Sequence, residues 1–304
     1  MNKIPATQTI AETYNFTVAG MGRVIGLIWL PVAIMTIGGY FTMVPYLTGM
    51  AEISDNGDPS QVGPLLMRVL GFDLVVTVLM AMVAVAITRE ILQPLKRPPF
   101  LRFGLGLTEL RVVGGFFGLY VLLIVFTVML VMACMAVGFV ANALIPGNGT
   151  PASHAPVVGI VALAGLAGGL ALIYFFVRLG FLLVPSAVLE GGFGLERSWQ
   201  LTKGNFWRIV LIGLATLIPI MLLKAIIDVS IIGPDFFNPH LELLKDHAVQ
   251  AKHQAEQMRV MAAHLPLLMG AGFLLAPFTY GLTFAAPAFA YRALTAKPAS
   301  PLQG

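Results

Sequence analysis

The sequence predicts an all-α, polytopic membrane protein with six transmembrane helices. Three observations carry this expectation. Hydrophobic residues make up 58% of the chain and charged residues 11%, with a mean hydropathy of +0.88, which leaves too little polar surface to clothe a water-soluble globule. Several stretches run uncharged for longer than a bilayer core requires. The basic residues concentrate on alternate connections between those stretches.

In chain order, residues 1–20 show no compact apolar core followed by a small-residue cleavage site, so no removable signal is expected there. Val24 to Ala51 is uncharged for 28 residues and yields the first span, about 24–48, and Leu65 to Thr88 yields the second, 65–88. Val112 to Val177 is uncharged for 66 residues, and the turn cluster Pro146-Gly-Asn-Gly-Thr-Pro151 splits it into spans at about 112–140 and 157–178. The last two spans fall at 209–232 and 267–291. Each is long enough, at about 1.5 Å per residue, to cross a core of about 30 Å. Helices are expected because they satisfy their own backbone in lipid.

Six spans put both termini on one side. That side carries 13 of the 18 Lys and Arg residues against five acidic groups, and the opposite loops carry three against seven. The expected topology is therefore N-in and C-in, in a bacterial cytoplasmic membrane. Basic charge read this way is a topology signal, so a nucleic-acid partner is not expected despite the pI near 9.3.

An arginine opens each outward-going span, at Arg23-Val-Ile-Gly26, Arg111-Val-Val-Gly114 and Arg208-Ile-Val-Leu211, and another closes each return, at Arg89, Arg178 and Arg292. Two of these pairs lie 66 and 67 residues apart, and the third lies 84 apart with its excess in the long outer loop. The pattern suggests three parallel two-helix hairpins about a pseudo-threefold axis. The alternative, that every N-in hairpin simply needs inner-face arginines, stays open. Ahead of each hairpin lies a segment mixing aromatics with charges, at Ile10–Phe16, Phe100–Glu109 and Phe193–Trp207, read as interfacial and amphipathic. In the third, Gly204 breaks the helix and Asn205 is expected to cap the next one. The glycine pairs Gly22/Gly26, Gly114/Gly118 and Gly165/Gly169 allow close helix approach. Pro31, Pro219, Pro277 and Pro287 are expected to kink or interrupt spans.

Charge inside a span is expensive and wants a partner. Arg68 and Asp73 on the second span and Lys224 and Asp228 on the fifth fall at similar depths in the outer third, so one net-neutral cluster joining those helices is expected. It reads first as a structural clamp and second as an ion, proton or headgroup site. The outer segment 241–265 carries apolar residues alternately three and four apart, a helix of about 37 Å with a narrow heptad seam that Pro266 is expected to end. Its seam suits packing on the protein's own outer surface. A second copy or an envelope partner is the alternative occupant. His240, His247, His253 and His264 lack the i, i+4 spacing of a helical metal clip, so neither metal nor cofactor is expected. The lone Cys134 reads as packing. No hydrolase, P-loop or dinucleotide motif is present, so the chain is expected not to be an enzyme.

The stretch from Arg178-Leu-Gly-Phe-Leu-Leu-Val-Pro185 through Glu190 and Gly194-Leu-Glu-Arg197 to Trp207 and Arg208 resembles a signature of a bacterial multi-pass family. That family includes YciC-like proteins and the membrane domain of some glycerophosphoryl diester phosphodiesterases. Arg178, Glu190, Arg197, Ser198, Trp199, Thr202, Lys203, Gly204, Phe206, Trp207 and Arg208 carry the match. The resemblance implies a helical cytoplasmic-membrane fold with a role in lipid or envelope homeostasis, and it supplies no catalytic residues. Physically, the elbow at about 185–208 reads as an interfacial anchor. Arg178, Arg197, Lys203 and Arg208 would meet anionic inner-leaflet phosphates while Trp199 and Trp207 sit at headgroup depth. The competing reading is that the elbow fixes the entry angle of the fifth span. The expected function is thus lipid or partner binding without catalysis, with a small-solute or ion transporter using the outer charge cluster as the alternative.

Overall fold

The computed structural model describes residues 3–56, 59–94, 104–144, 155–237 and 247–296. Nine α-helices are described: α1 (Ala6–Ala19), α2 (Met21–Asn56), α3 (Val62–Leu92), α4 (Leu107–Leu144), α5 (Ala155–Gly180), α6 (Leu183–Glu190), α7 (Leu195–Leu201), α8 (Phe206–Ile232) and α9 (His247–Thr295). Six stretches are long and apolar enough to cross a membrane, namely α2, α3, α4, α5 with α6, α8 and α9. The all-α, six-span architecture is therefore as the sequence predicts. The loop containing Pro146 to Pro151 lies outside the described residues.

The helices converge at the face that carries both termini. There α2 buries Val24, Leu27 and Ile28, α3 buries Ala81 and Val83 to Ile87, and α9 buries Ala285 and Ala288, all in one apolar cluster. A second cluster joins Ile4, Leu182, Ile209, Ala286 and Ala290. Close packing here depends on small residues, as a Cβ on Gly281 of α9 would fall 2.7 Å from Thr17 of α1. Thr9, Thr13 and Thr17 form a buried stripe on α1, where Thr13 and Thr17 donate their hydroxyls back to the carbonyl four residues earlier. Toward the opposite face the helices splay. Leu66, Met67, Leu70 and Leu74 of α3 and Met221, Leu222 and Ile226 of α8 are all exposed, as lipid-facing residues should be.

Hairpins α2–α3, α4–α5 and α8–α9 each pair two spans, yet they do not form an evenly packed ring. The α2–α3 and α8–α9 pairs merge through α9. The α4–α5 hairpin touches the rest chiefly near the terminal face, and no residue in the most apolar 18-residue stretches of its spans is buried. The closing arginines do follow a cycle. Arg89 donates to Glu109 at 3.0 Å and Thr108 at 2.7 Å, Arg178 donates to the Trp199 carbonyl at 2.7 Å, and Arg292 donates to Glu12 at 2.8 Å. Each hairpin thus ends on the segment that precedes the next, and the third returns to the first.

Two local expectations are corrected. The segment 241–265 is not a separate helix ended by Pro266: from His247 it is continuous with the last span, passing through Pro266, Pro277 and Pro287 over 49 residues, or about 73 Å. Residues 241–246 lie outside the described set. A proline removes one helical hydrogen bond, and packing against neighbouring helices holds the remaining turns in line. Pro31 and Pro219 likewise sit inside unbroken helices. The heptad seam is used within the chain: Ala255 and Leu265 are buried, and Arg259 is ion-paired with Asp55 at the end of α2. Of the glycine pairs, Gly114 and Gly118 face elbow residues Phe193 and Leu195, and the close α4–α5 approach falls at Gly168 against Leu130 rather than at Gly165 or Gly169.

Candidate functional site

The elbow between α5 and α8 is built around Arg178. This side chain is only 7% exposed and spends its donors internally, on Tyr174 Oη at 2.9 Å, the Trp199 carbonyl at 2.7 Å and Thr202 Oγ1 at 3.4 Å. Its guanidinium lies 3.6 Å from the Trp199 ring centroid, and that indole also stacks on Phe175. The Arg178 carbonyl accepts from Ser198 Oγ at 2.9 Å, and Ser198 Oγ accepts from the Leu182 amide at 3.1 Å. These bonds satisfy the backbone where α5 gives way to α6.

The expectation that Arg178 meets headgroup phosphates is therefore corrected, since its donors are consumed in holding the elbow shut, while Trp199 stays half-buried beside it. Arg208 donates to the Ile4 carbonyl at 2.6 Å, and Arg197 is paired with Glu190 at 2.8 Å. Glu190 also accepts from Tyr291 on α9. Asn205 does not cap α8 with its side chain: its Oδ1 accepts from the Ile4 amide at 3.0 Å, so the residue ties down the N-terminal segment instead. Among the elbow candidates, Lys203 is exposed and Trp207 is 78% exposed, which leaves these two available at the surface. Tyr174 and Tyr291 were missing from the sequence reading. Tyr174 was legible as the i−4 neighbour of Arg178, whereas Tyr291 is 101 residues from its partner.

The four intramembrane charges do not form one cluster. Lys224 and Asp228 pair with each other along α8 at 2.6 Å. Arg68 is exposed on α3 and donates to the Phe41 carbonyl of α2 at 2.9 Å, while Asp73 is exposed one and a half turns further on. No ion pair joins the two helices among the described residues. Residue counting along the spans could not show that α3 and α8 are not neighbours: each packs on α9 instead.

Lys224 and Asp228 instead line a partly open cavity of about 580 Å³ between α2, α8 and α9. Its walls are mainly apolar, with Met35 from α2, Met261, Met269 and Phe273 from α9, and Gly272 leaving open space. Thr36, Thr279 and Tyr280 are the polar residues deeper along it. The lining on α9 runs from Met261 to Tyr280, roughly 28 Å along the axis. Below Tyr280, Gly281 meets Thr17 and the helices close. The volume falls in the range of small-molecule and lipid pockets, and flexible methionines suit a chain without fixed shape.

Among the described residues no group of three or more His, Cys, Asp or Glu side chains could hold a metal ion. No family model matches the chain, and no curated protein or solved structure matches it either.

Proposed function

We propose that this chain is a non-enzymatic integral membrane protein that binds a membrane amphiphile between α2, α8 and α9, in the service of membrane or envelope homeostasis. The observation that carries the reading is the 580 Å³ cavity, mainly apolar and bearing one ion pair in its wall. An apolar chain would lie along Met35, Met269 and Phe273, with its polar end at Lys224 and Asp228. The excess of basic residues on the terminal face supports a bacterial cytoplasmic membrane with both termini inside. The exposed Lys203 and Trp207 would then meet the anionic inner leaflet. The elbow's resemblance to YciC-like proteins points the same way.

A transporter would draw on the same cavity but needs a second opening, and the close contact of Thr17 with Gly281 favours binding without passage. The test is native mass spectrometry of the full chain extracted with its own lipids, comparing wild type with Gly272→Trp and, from the opposite wall, Thr36→Trp. Either indole would fill the cavity. Loss of a retained lipid from both variants at unchanged thermal stability is expected, and equal retention in all three proteins would overturn the reading.

A further inference from the structure

We infer that the ligand of this cavity is a zwitterionic phospholipid whose headgroup carries a phosphate and a primary ammonium, an inference that rests on the lipid-binding reading above. The Lys224 and Asp228 side chains stand one turn apart on the same face of α8, 2.6 Å from each other and 59% and 25% exposed. Among the described residues they are the charged ones of the cavity wall, and their charges sum to zero.

That neutrality selects among headgroups. A purely anionic headgroup that pairs with Lys224 must separate it from Asp228 and then face the released carboxylate, a like-charge contact. A purely cationic headgroup meets the reverse problem at Lys224. A headgroup bearing both signs replaces one intramolecular pair with two intermolecular ones, phosphate on Lys224 and ammonium on Asp228, and leaves no charge unpaired. Its primary ammonium offers N–H donors that a carboxylate can accept. A quaternary ammonium offers none and is usually held in an aromatic cage. Phe236, Phe273 and Tyr280 all contribute rings to the lining, so the preference for a primary ammonium rests on its N–H donors to Asp228. The remaining wall, from Met269 to Ala276, is apolar and suits the acyl chain.

The experiment offers the purified full chain phosphatidylethanolamine, phosphatidylglycerol and phosphatidylcholine with matched acyl chains, together with free phosphoethanolamine, and reads retention by native mass spectrometry. Wild type should retain phosphatidylethanolamine roughly tenfold over either other lipid, and phosphoethanolamine should not displace it. Asp228→Asn should abolish or reverse the preference over phosphatidylglycerol, because Lys224 is then free for an anion, and Lys224→Gln should weaken phosphatidylethanolamine retention. Equal retention of the three lipids by wild type, with loss of all of them in Gly272→Trp, would overturn the headgroup inference while leaving the lipid site standing. Unchanged phosphatidylethanolamine retention in Gly272→Trp would remove the site itself. Displacement by phosphoethanolamine would identify a soluble zwitterion as the ligand and overturn the lipid assignment.

Discussion

The guanidinium of Arg178 lies 3.6 Å from the ring centroid of Trp199 and donates to that residue's own carbonyl at 2.7 Å, so one side chain holds both the ring and the backbone of α7. The elbow's orientation follows from this double contact. Arg178→Met should remove the cation–π contact and leave the Trp199 carbonyl only the longer bond from Thr202 Oγ1 at 3.2 Å, costing about 2–4 kcal/mol. Arg178→Lys should recover only part of this, because an ammonium cannot fork to Tyr174 and Trp199 together. Thermal unfolding in detergent, followed by tryptophan fluorescence, measures both. Wild-type stability in Arg178→Met would mean that the residue does not hold the elbow.

Gly194 opens α7 with φ +76°, and a Cβ there would lie 2.3 Å from the Leu183 carbonyl oxygen. Backbone rather than a flexible side chain blocks the space, so the neighbour cannot swing aside. Gly194→Ala should therefore cost at least about 1–3 kcal/mol and lower membrane abundance. Gly192 also has positive φ, but nothing lies within 4 Å of its added Cβ, so Gly192→Ala should meet the backbone strain alone. A larger loss for Gly192→Ala than for Gly194→Ala would contradict the packing account.

The cyclic arginine contacts differ in depth, and their strengths should differ accordingly. Glu109 is 6% exposed, pairs with Arg89 and accepts from the Gly106 amide at 3.0 Å at the start of α4. Glu109→Ala leaves the Gly106 amide unmatched and Arg89 with only its bond to Thr108, and should cost about 2–3 kcal/mol. The Glu12–Arg292 pair is largely exposed, with side chains 33% and 50% accessible, and Glu12→Ala should cost no more than about 1 kcal/mol. Parallel thermal melts of the two variants decide the order, and a larger loss in Glu12→Ala would reverse it.

How much of this was legible in the sequence depends on whether the cause was local. Span number and position follow from uncharged length, because the bilayer sets that length directly. The break at Gly204 follows from one residue, and its φ is +75°. The fate of Arg178 was hidden, because a cation near a span end reads the same whether it faces phosphate or an indole 21 residues away. Pro266 misled for a related reason. A proline's cost is local, whereas the contacts that keep α9 continuous come from helices far away in sequence. The lateral separation of α3 from α8 was likewise invisible, since residue counting along a span says nothing about lateral distance. The cavity lies between α2, α8 and α9, and of its lining only Lys224 and Asp228 stand out in the sequence, since its apolar walls come from helices far apart in the chain.

The membrane orientation yields the last prediction. Lys203 is exposed on the face that carries the termini, and Arg259 is half exposed on the extension of α9 beyond the opposite face. The native Cys134 lies within α4 and must be replaced first, by Cys134→Ala, so that each added thiol reports alone. With basic residues retained inside, Lys203→Cys should react with a membrane-impermeant maleimide only after the cells are permeabilised. Arg259→Cys should react in intact cells, and Asp55, its ion-pair partner at the end of α2, provides a second outer position at Asp55→Cys. Both positions lie in described helical or turn structure, so a failure to label outside cannot be assigned to burial if the same thiol reacts after permeabilisation. Labelling of Lys203→Cys in intact cells together with protection of Arg259→Cys would invert the topology. It would also carry the cavity, whose charged wall lies toward the Arg259 side, from the outer leaflet to the inner one.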